Sequence, residues 1–158
     1  MERRKFLGLG AGAAALFALP AGLMAENYRK TLPALWKVKN DEKHADDEKG
    51  VNEAIKTLFG SDKTEEGKVH LKAPAIAENG AVVPVSFKAE GAKRIALFQS
   101  ADPEAAVAVF DIPEKAIPDY SVRIKMQQTG HVVVVAEIDG KLYKADKVVK
   151  VTVGGCGG

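Results

Sequence analysis

The stretch that decides the fold runs Asp119-Tyr120-Ser121-Val122-Arg123-Ile124-Lys125-Met126, pauses at Gln127–Gly130, and resumes His131-Val132-Val133-Val134-Val135-Ala136-Glu137-Ile138-Asp139-Gly140-Lys141-Leu142-Tyr143. Tyr120, Val122, Ile124 and Met126 alternate with polar neighbours, the period of a strand with one buried and one wet face. Asp139-Gly140 between two apolar runs is the strongest short hairpin signal, because both residues tolerate the positive φ that a tight turn requires. Working outward, further strands are expected at Val69–Leu71, Val83–Phe87 after the Asn79-Gly80 turn, Arg94–Gln99 and Val107–Asp111. Others follow at Tyr120–Met126, His131–Ile138, Leu142–Ala145 and Val148–Val153. Pro84 inside the second of these marks it as an edge or bulged strand, since proline cannot donate to a ladder. Seven or eight short strands with Pro and Gly between them predict a mainly β fold, an immunoglobulin-like β-sandwich.

Upstream the period changes. The segment from Glu26 to about Gly60 reads as helical, with Val51, Ala54, Ile55, Leu58 and Phe59 on one face and Gly60 as the stop. A shorter helix is expected around Leu32, Leu35 and Trp36, with Pro33 in its first turn. Lys39–Lys49 is densely charged and reads as a solvated loop or helix start.

The first 25 residues differ in kind. Arg3-Arg4 precedes Phe6-Leu7 and a Gly/Ala-rich apolar run ending near Ala25, the build of an export signal. The order Arg-Arg-Lys-Phe-Leu resembles a twin-arginine signal, with cleavage expected after Ala25 or, as the nearest competitor, Ala21. The chain is therefore expected in the periplasm, with no membrane association once the signal is removed. The expected division is 1–25 signal, 26–153 helices plus sandwich, and 154–158 a flexible arm.

The +2 net charge of the full chain resides in that signal, and its removal leaves equal numbers of basic and acidic residues. Their interspersion excludes the basic stripe that a nucleic-acid backbone demands. No Gly-x-Ser-x-Gly elbow, no phosphate loop and no standout carboxylate pair suggests an enzyme. His44, His70 and His131 do not sit at metal-ligand spacing, so surface or structural roles are expected and no metal ligand is assigned.

Attention falls on the end of the chain, Val153-Gly154-Gly155-Cys156-Gly157-Gly158, which holds the single cysteine. A lone cysteine in an exported chain cannot close an internal disulfide, so it serves a partner or reacts. Glycines on both sides give a hinge and a slender profile. Three residues could carry the sulfur about 10 Å beyond the last strand, far enough to enter a narrow cleft. The nearby C-terminal carboxylate disfavours a thiolate, so activation is expected from whichever protein receives the arm. Prenylation needs the fourth residue from the end and Cys156 is third. No Cys-x-x-Cys suggests a thiol oxidoreductase.

The ending Val-Thr-Val-Gly-Gly-Cys-Gly-Gly resembles the carrier arm of the SoxY family, the sulfur-carrying subunits of the bacterial thiosulfate-oxidising Sox system. The run Glu66-Gly67-Lys68-Val69-His70-Leu71-Lys72-Ala73-Pro74-Ala75-Ile76-Ala77-Glu78-Asn79-Gly80, with Val83-Pro84-Val85, is similar to the family's early strands. Asp102-Pro103 departs from an Asn-Pro pair. The resemblance implies a non-enzymatic carrier that holds sulfur intermediates covalently on Cys156, with Gly154, Gly155, Gly157 and Gly158 as the arm and no separate cofactor. It implies a heterodimer with SoxZ, another small β-sandwich. It also implies transient contacts with a c-type haem enzyme that joins thiosulfate to the cysteine, a hydrolase that releases sulfate, and in some organisms a sulfane dehydrogenase. The alternative reading is a periplasmic β-sandwich binding or assembly module whose cysteine forms an intermolecular disulfide. Ile95, Leu97 and Phe98 with Val107, Val109 and Phe110 exceed what one sandwich face obviously needs, and some of that surface is expected to meet the partner domain.

Overall fold

In the computed structural model, residues 26–153 are described. The expected signal at 1–25 and the arm at 154–158, with Cys156, lie outside them. Eight strands form two sheets: β1 (His70–Lys72), β3 (Val83–Lys88) and β6 (Asp119–Ile124) in one. The other has the order β2 (Ile76–Ala77), β8 (Lys141–Val151), β7 (Gly130–Ile138), β4 (Arg94–Gln99) and β5 (Ala106–Asp111). The β-sandwich expectation holds.

The β7–β8 hairpin is the spine. Asp139 and Gly140 take φ of 51° and 75°, and strand pairing begins at once with Ile138 opposite Lys141. Where two strands were expected, Lys141–Val151 is one. Asp146 and Lys147 interrupt the apolar pattern, but ladder bonds to β7 are made by the backbone and continue through them. Val132 to Ala136 are all fully buried, so both faces of β7 are covered and alternation is lost. β6 keeps it, with Tyr120, Val122 and Ile124 turned inward and Ser121 and Arg123 outward.

One face of the large sheet packs on the small one. Ile95, Leu97, Val132, Val134 and Val149 meet Val83, Val85, Phe87, Ile124 and Met126 there. Phe87, Phe110 and Tyr120 close the side of the sandwich, the last two stacked at 4.6 Å. The opposite face packs on the N-terminal helical segment. Phe98, Val133 and Val135 meet Leu35, Val51, Ala54, Ile55 and Leu58. This placement corrects the partner-surface expectation for the apolar surplus. Ile95, Leu97 and Phe98 are fully buried within the chain, and Val107, Val109 and Phe110 are half-buried against the same two cores. A sandwich with a helical layer on one outer face needs a double-sided sheet, and those residues supply it.

Helix α2 (Lys49–Phe59) shows the expected face, and Gly60 ends it at φ 77° with its N–H donating to the Lys56 carbonyl. Upstream the helical expectation holds only in part. Helix α1 (Tyr28–Thr31) stops before Leu32-Pro33, because the residue preceding a proline is driven out of the helical region. Only a 3₁₀ turn follows at Leu35–Lys37. The charged segment after it is a loop, but a packed one. Asn40 and Ala45 are buried, and the Asn40 amide donates to the carbonyls of Gln99 and Asp102. Pro84 lies in the central strand of its sheet, not in an edge strand. β1 pairs only as far as Ser86, so at Pro84 the chain has a neighbour on one side alone and the missing N–H costs no ladder bond. β2, two residues parallel to β8, was too short to read from the sequence.

Candidate functional site

The expected working group, Cys156, and Gly154, Gly155, Gly157 and Gly158 lie outside the described residues. What the fold does place is the root from which they continue. β8 is held on one edge by β7 and on the other by the segment that contains β2. The Lys150 N–H donates to the Ala75 carbonyl at 3.0 Å and the Thr152 N–H to the Ala77 carbonyl at 3.1 Å. The Val153 carbonyl accepts from Gly80 N–H at 2.9 Å, and Gly80 in turn accepts from Met126 N–H at 2.7 Å. Thr129 Oγ1 accepts from Val151 N–H. The chain is thus pinned by hydrogen bonds through Val153, and the glycines begin at the next residue.

Around that root three apolar side chains stand exposed: Ile76, Val82 and Val153. Farther off, an open cleft of about 700 Å³ runs along β1 and the middle of β8, where His70, Lys72, Lys88 and Lys147 line one mouth with Asp119. Lys88 is engaged by Glu90 at 2.9 Å.

The histidines separate on folding. His44 is exposed and bonds Asp41 at 2.7 Å, and His70 is exposed on β1. His131 is not a solvated side chain. Its Nδ1 lies 3.1 Å from Glu48 Oε1 and 2.9 Å from Asp146 Oδ2. Lys144 Nζ meets the other Glu48 oxygen at 2.5 Å. Glu48 immediately precedes α2, His131 is near the start of β7's ladder, and Lys144 and Asp146 lie on β8, all on the sheet face that carries the helices. Burial, and then a hydrogen bond with Glu48, hold the Asp146 carboxyl above the usual aspartate range. Burial also pushes Glu48 up, but hydrogen bonds from Asp146 and Lys144 outweigh it and leave Glu48 below the usual range. The sequence reading missed this cluster because its members are 83 and 15 residues apart. No local motif joins them.

A second cluster is structural. The Tyr28 hydroxyl donates to Asp111 at 2.6 Å, and Arg94 Nε donates to Asp111 at 3.0 Å. Burial and the Asp111 hydrogen bond raise the Tyr28 phenol well above its ordinary value, so it stays protonated and ties α1 to β5. Asp102, where this sequence departs from the family pattern, accepts from Gln127 N–H and so ties the β4–β5 loop to the β6–β7 connection. Among the described residues no helix is long and apolar enough to cross a membrane.

Comparison with known proteins bears on the undescribed end. The family model for sulfur oxidation protein SoxY matches residues 55–156. The solved structure of the sulfur carrier protein SoxY from Chlorobium limicola f thiosulfatophilum is 42% identical, with a TM-score of 0.59 over 65% of this chain and 96% of that one. A superoxide reductase (neelaredoxin) from Ignicoccus hospitalis is similar at 17% identity and a TM-score of 0.47, over 54% of this chain and 80% of that one. No curated protein sequence matched.

Proposed function

The chain belongs to the SoxY family of sulfur oxidation proteins, and on that premise we propose that it is a periplasmic carrier whose Cys156 holds sulfur intermediates for the enzymes of thiosulfate oxidation. The observation that carries this reading is the reach of the family match, which ends at Cys156 itself. The pinned root supports it: a covalent handle on a fixed base keeps a small anion at high effective concentration for successive enzymes.

The chemistry is simple on the carrier's side. Thiosulfate joins the thiol as Cys156–S–S–SO₃⁻, with loss of one proton and two electrons, and a c-type haem enzyme takes the electrons. Water then cleaves the terminal sulfur–sulfonate bond, releasing sulfate and two protons and leaving Cys156–S–S⁻. A sulfane dehydrogenase, where present, oxidises that remaining sulfur. The carrier contributes an unhindered thiol and no catalytic group. Assembly with a SoxZ-like β-sandwich and export through the twin-arginine route belong to the same proposal and rest on the family resemblance and the Arg3-Arg4 signal.

Intact mass of the protein from cells grown on thiosulfate tests this reading. Adducts of added sulfur and sulfonate on Cys156, absent from Cys156→Ser, are expected. A population containing only free thiol and symmetric disulfide would instead assign the cysteine to an intermolecular link. Cys156→Ser should unfold at the same temperature as the parent, because the residue lies beyond the last pinned carbonyl.

A further inference from the structure

We propose that Glu48, His131 and Asp146 form a binding site for a divalent transition-metal cation of the zinc class, separate from the carrier cysteine. Two carboxylates and one imidazole are a ligand set that such ions accept, with room for an exogenous fourth ligand. Their ligand atoms already lie within 4.8 Å of one another. The contacts of 2.9 and 3.1 Å at His131 Nδ1 are close to the roughly 3.3 Å edge of a tetrahedral set with metal–ligand bonds of about 2.0–2.1 Å. Along those two edges a few tenths of an ångström of spreading admits the ion.

The supporting shell is rigid. His131 and Asp146 project from adjacent strands two rungs apart on one face, since His131 is registered with Val148 and Asp146 with Val133. The His131 N–H donates to Ser100 Oγ at 2.8 Å, and Ser100 donates to the Ala45 carbonyl. Glu48 is fixed where α2 begins. All three side chains are at least two-thirds buried, with exposures of 19, 18 and 30%.

Glu48 is already engaged by an ammonium, with Lys144 Nζ 2.5 Å from its second oxygen. A cation bound by Glu48 would have to draw that carboxylate away from Lys144. Lys144 therefore competes with the metal. This competition predicts a variant that binds better than the parent.

The three ligand groups all lie among the described residues, and the site as proposed does not call on Cys156. The inference therefore does not rest on the carrier reading, and it is tested in Cys156→Ser so that the thiol contributes no binding. The chelator-treated Cys156→Ser chain, residues 26–158, is titrated with Zn²⁺ by calorimetry and with Co²⁺ by visible absorption. One ion per chain is expected. His131→Ala and Asp146→Asn should each weaken binding by roughly tenfold or more. Lys144→Gln should tighten it several-fold, a gain that misfolding does not produce. Absence of saturable one-to-one uptake, affinity unchanged in His131→Ala, or weaker binding in Lys144→Gln would overturn the site.

Discussion

The two faces of the five-stranded sheet are built from the same strands and behave differently. Toward the small sheet, Ile95, Leu97, Val132, Val134 and Val149 make an apolar layer with almost no polar interruption. Toward the helices, Phe98, Val133 and Val135 are equally buried, but along the same face the layer gives way to His131, Lys144 and Asp146. The first face is closed by strands continuous with the sheet through hairpins and loops. The second is closed by a segment that reaches it through loops and is fastened by scattered bonds, among them those of Asn40, Tyr28, Ala45 and Glu48. One side thus holds the sandwich together, and the other can host chemistry because its cover is assembled from separable pieces.

The comparison is broken most severely by a charge in the inner layer. Val134→Asp buries a carboxylate without a partner at a fully enclosed position, and a loss above about 5 kcal/mol is expected. Circular dichroism should show no cooperative thermal transition. Truncation on the helical side should cost less. Phe98→Ala should lower stability in urea by about 3–5 kcal/mol, and amide exchange should quicken in α2 before it does in β3 or β6. Equal quickening in both layers would show that the faces melt as one.

Gly130 lies where β7 starts beneath the cluster. A Cβ there would stand 2.9 Å from Ser100 Oγ and 3.1 Å from the Ala101 Cα. Gly130→Val should therefore cost about 1–3 kcal/mol by overpacking, read from the urea midpoint. The smallest effect is electrostatic. Folding raises the Asp146 pKa, so the folded chain keeps that proton longer than the unfolded chain does. Stability from this group is present at low pH and is lost as pH rises through the raised value. Glu48, held low, has the opposite slope: its contribution is lost as pH falls through its folded pKa. Asp146→Asn removes the first slope, and its amide N–H can still donate to Glu48. Its stability relative to the parent should climb as pH rises from the ordinary aspartate range toward neutrality. A flat difference would mean that folding does not raise the Asp146 carboxyl.

Elements whose signal is local could be read from the sequence. Asp139-Gly140 fixed a turn through its own backbone preferences, and Val51, Ala54, Ile55 and Leu58 with Gly60 marked a helix and its end. The alternation of Tyr120, Val122 and Ile124 marked a half-buried strand. Which face of which sheet the helix covers has no local signal, so the buried residues of β4 were mistaken for a partner surface. Asp146 and Lys147 split β8 on paper for a related reason: side-chain pattern reports burial, whereas strand continuity follows backbone pairing. Cys156 stood out by composition and position alone. The Glu48–His131–Asp146 cluster had no counterpart in the sequence, because only the fold brings those residues together.

The way β8 is held has a mechanical consequence. Consider a load applied at the end of β8 and along its axis. Its nine registered pairs with β7 lie across that axis, and β2 adds two more on the other edge. Antiparallel ladder bonds perpendicular to the strands are then loaded together in shear, and do not open one after another like a zipper. A pull that would unpeel a terminal strand attached at one end is here divided over the width of a sheet.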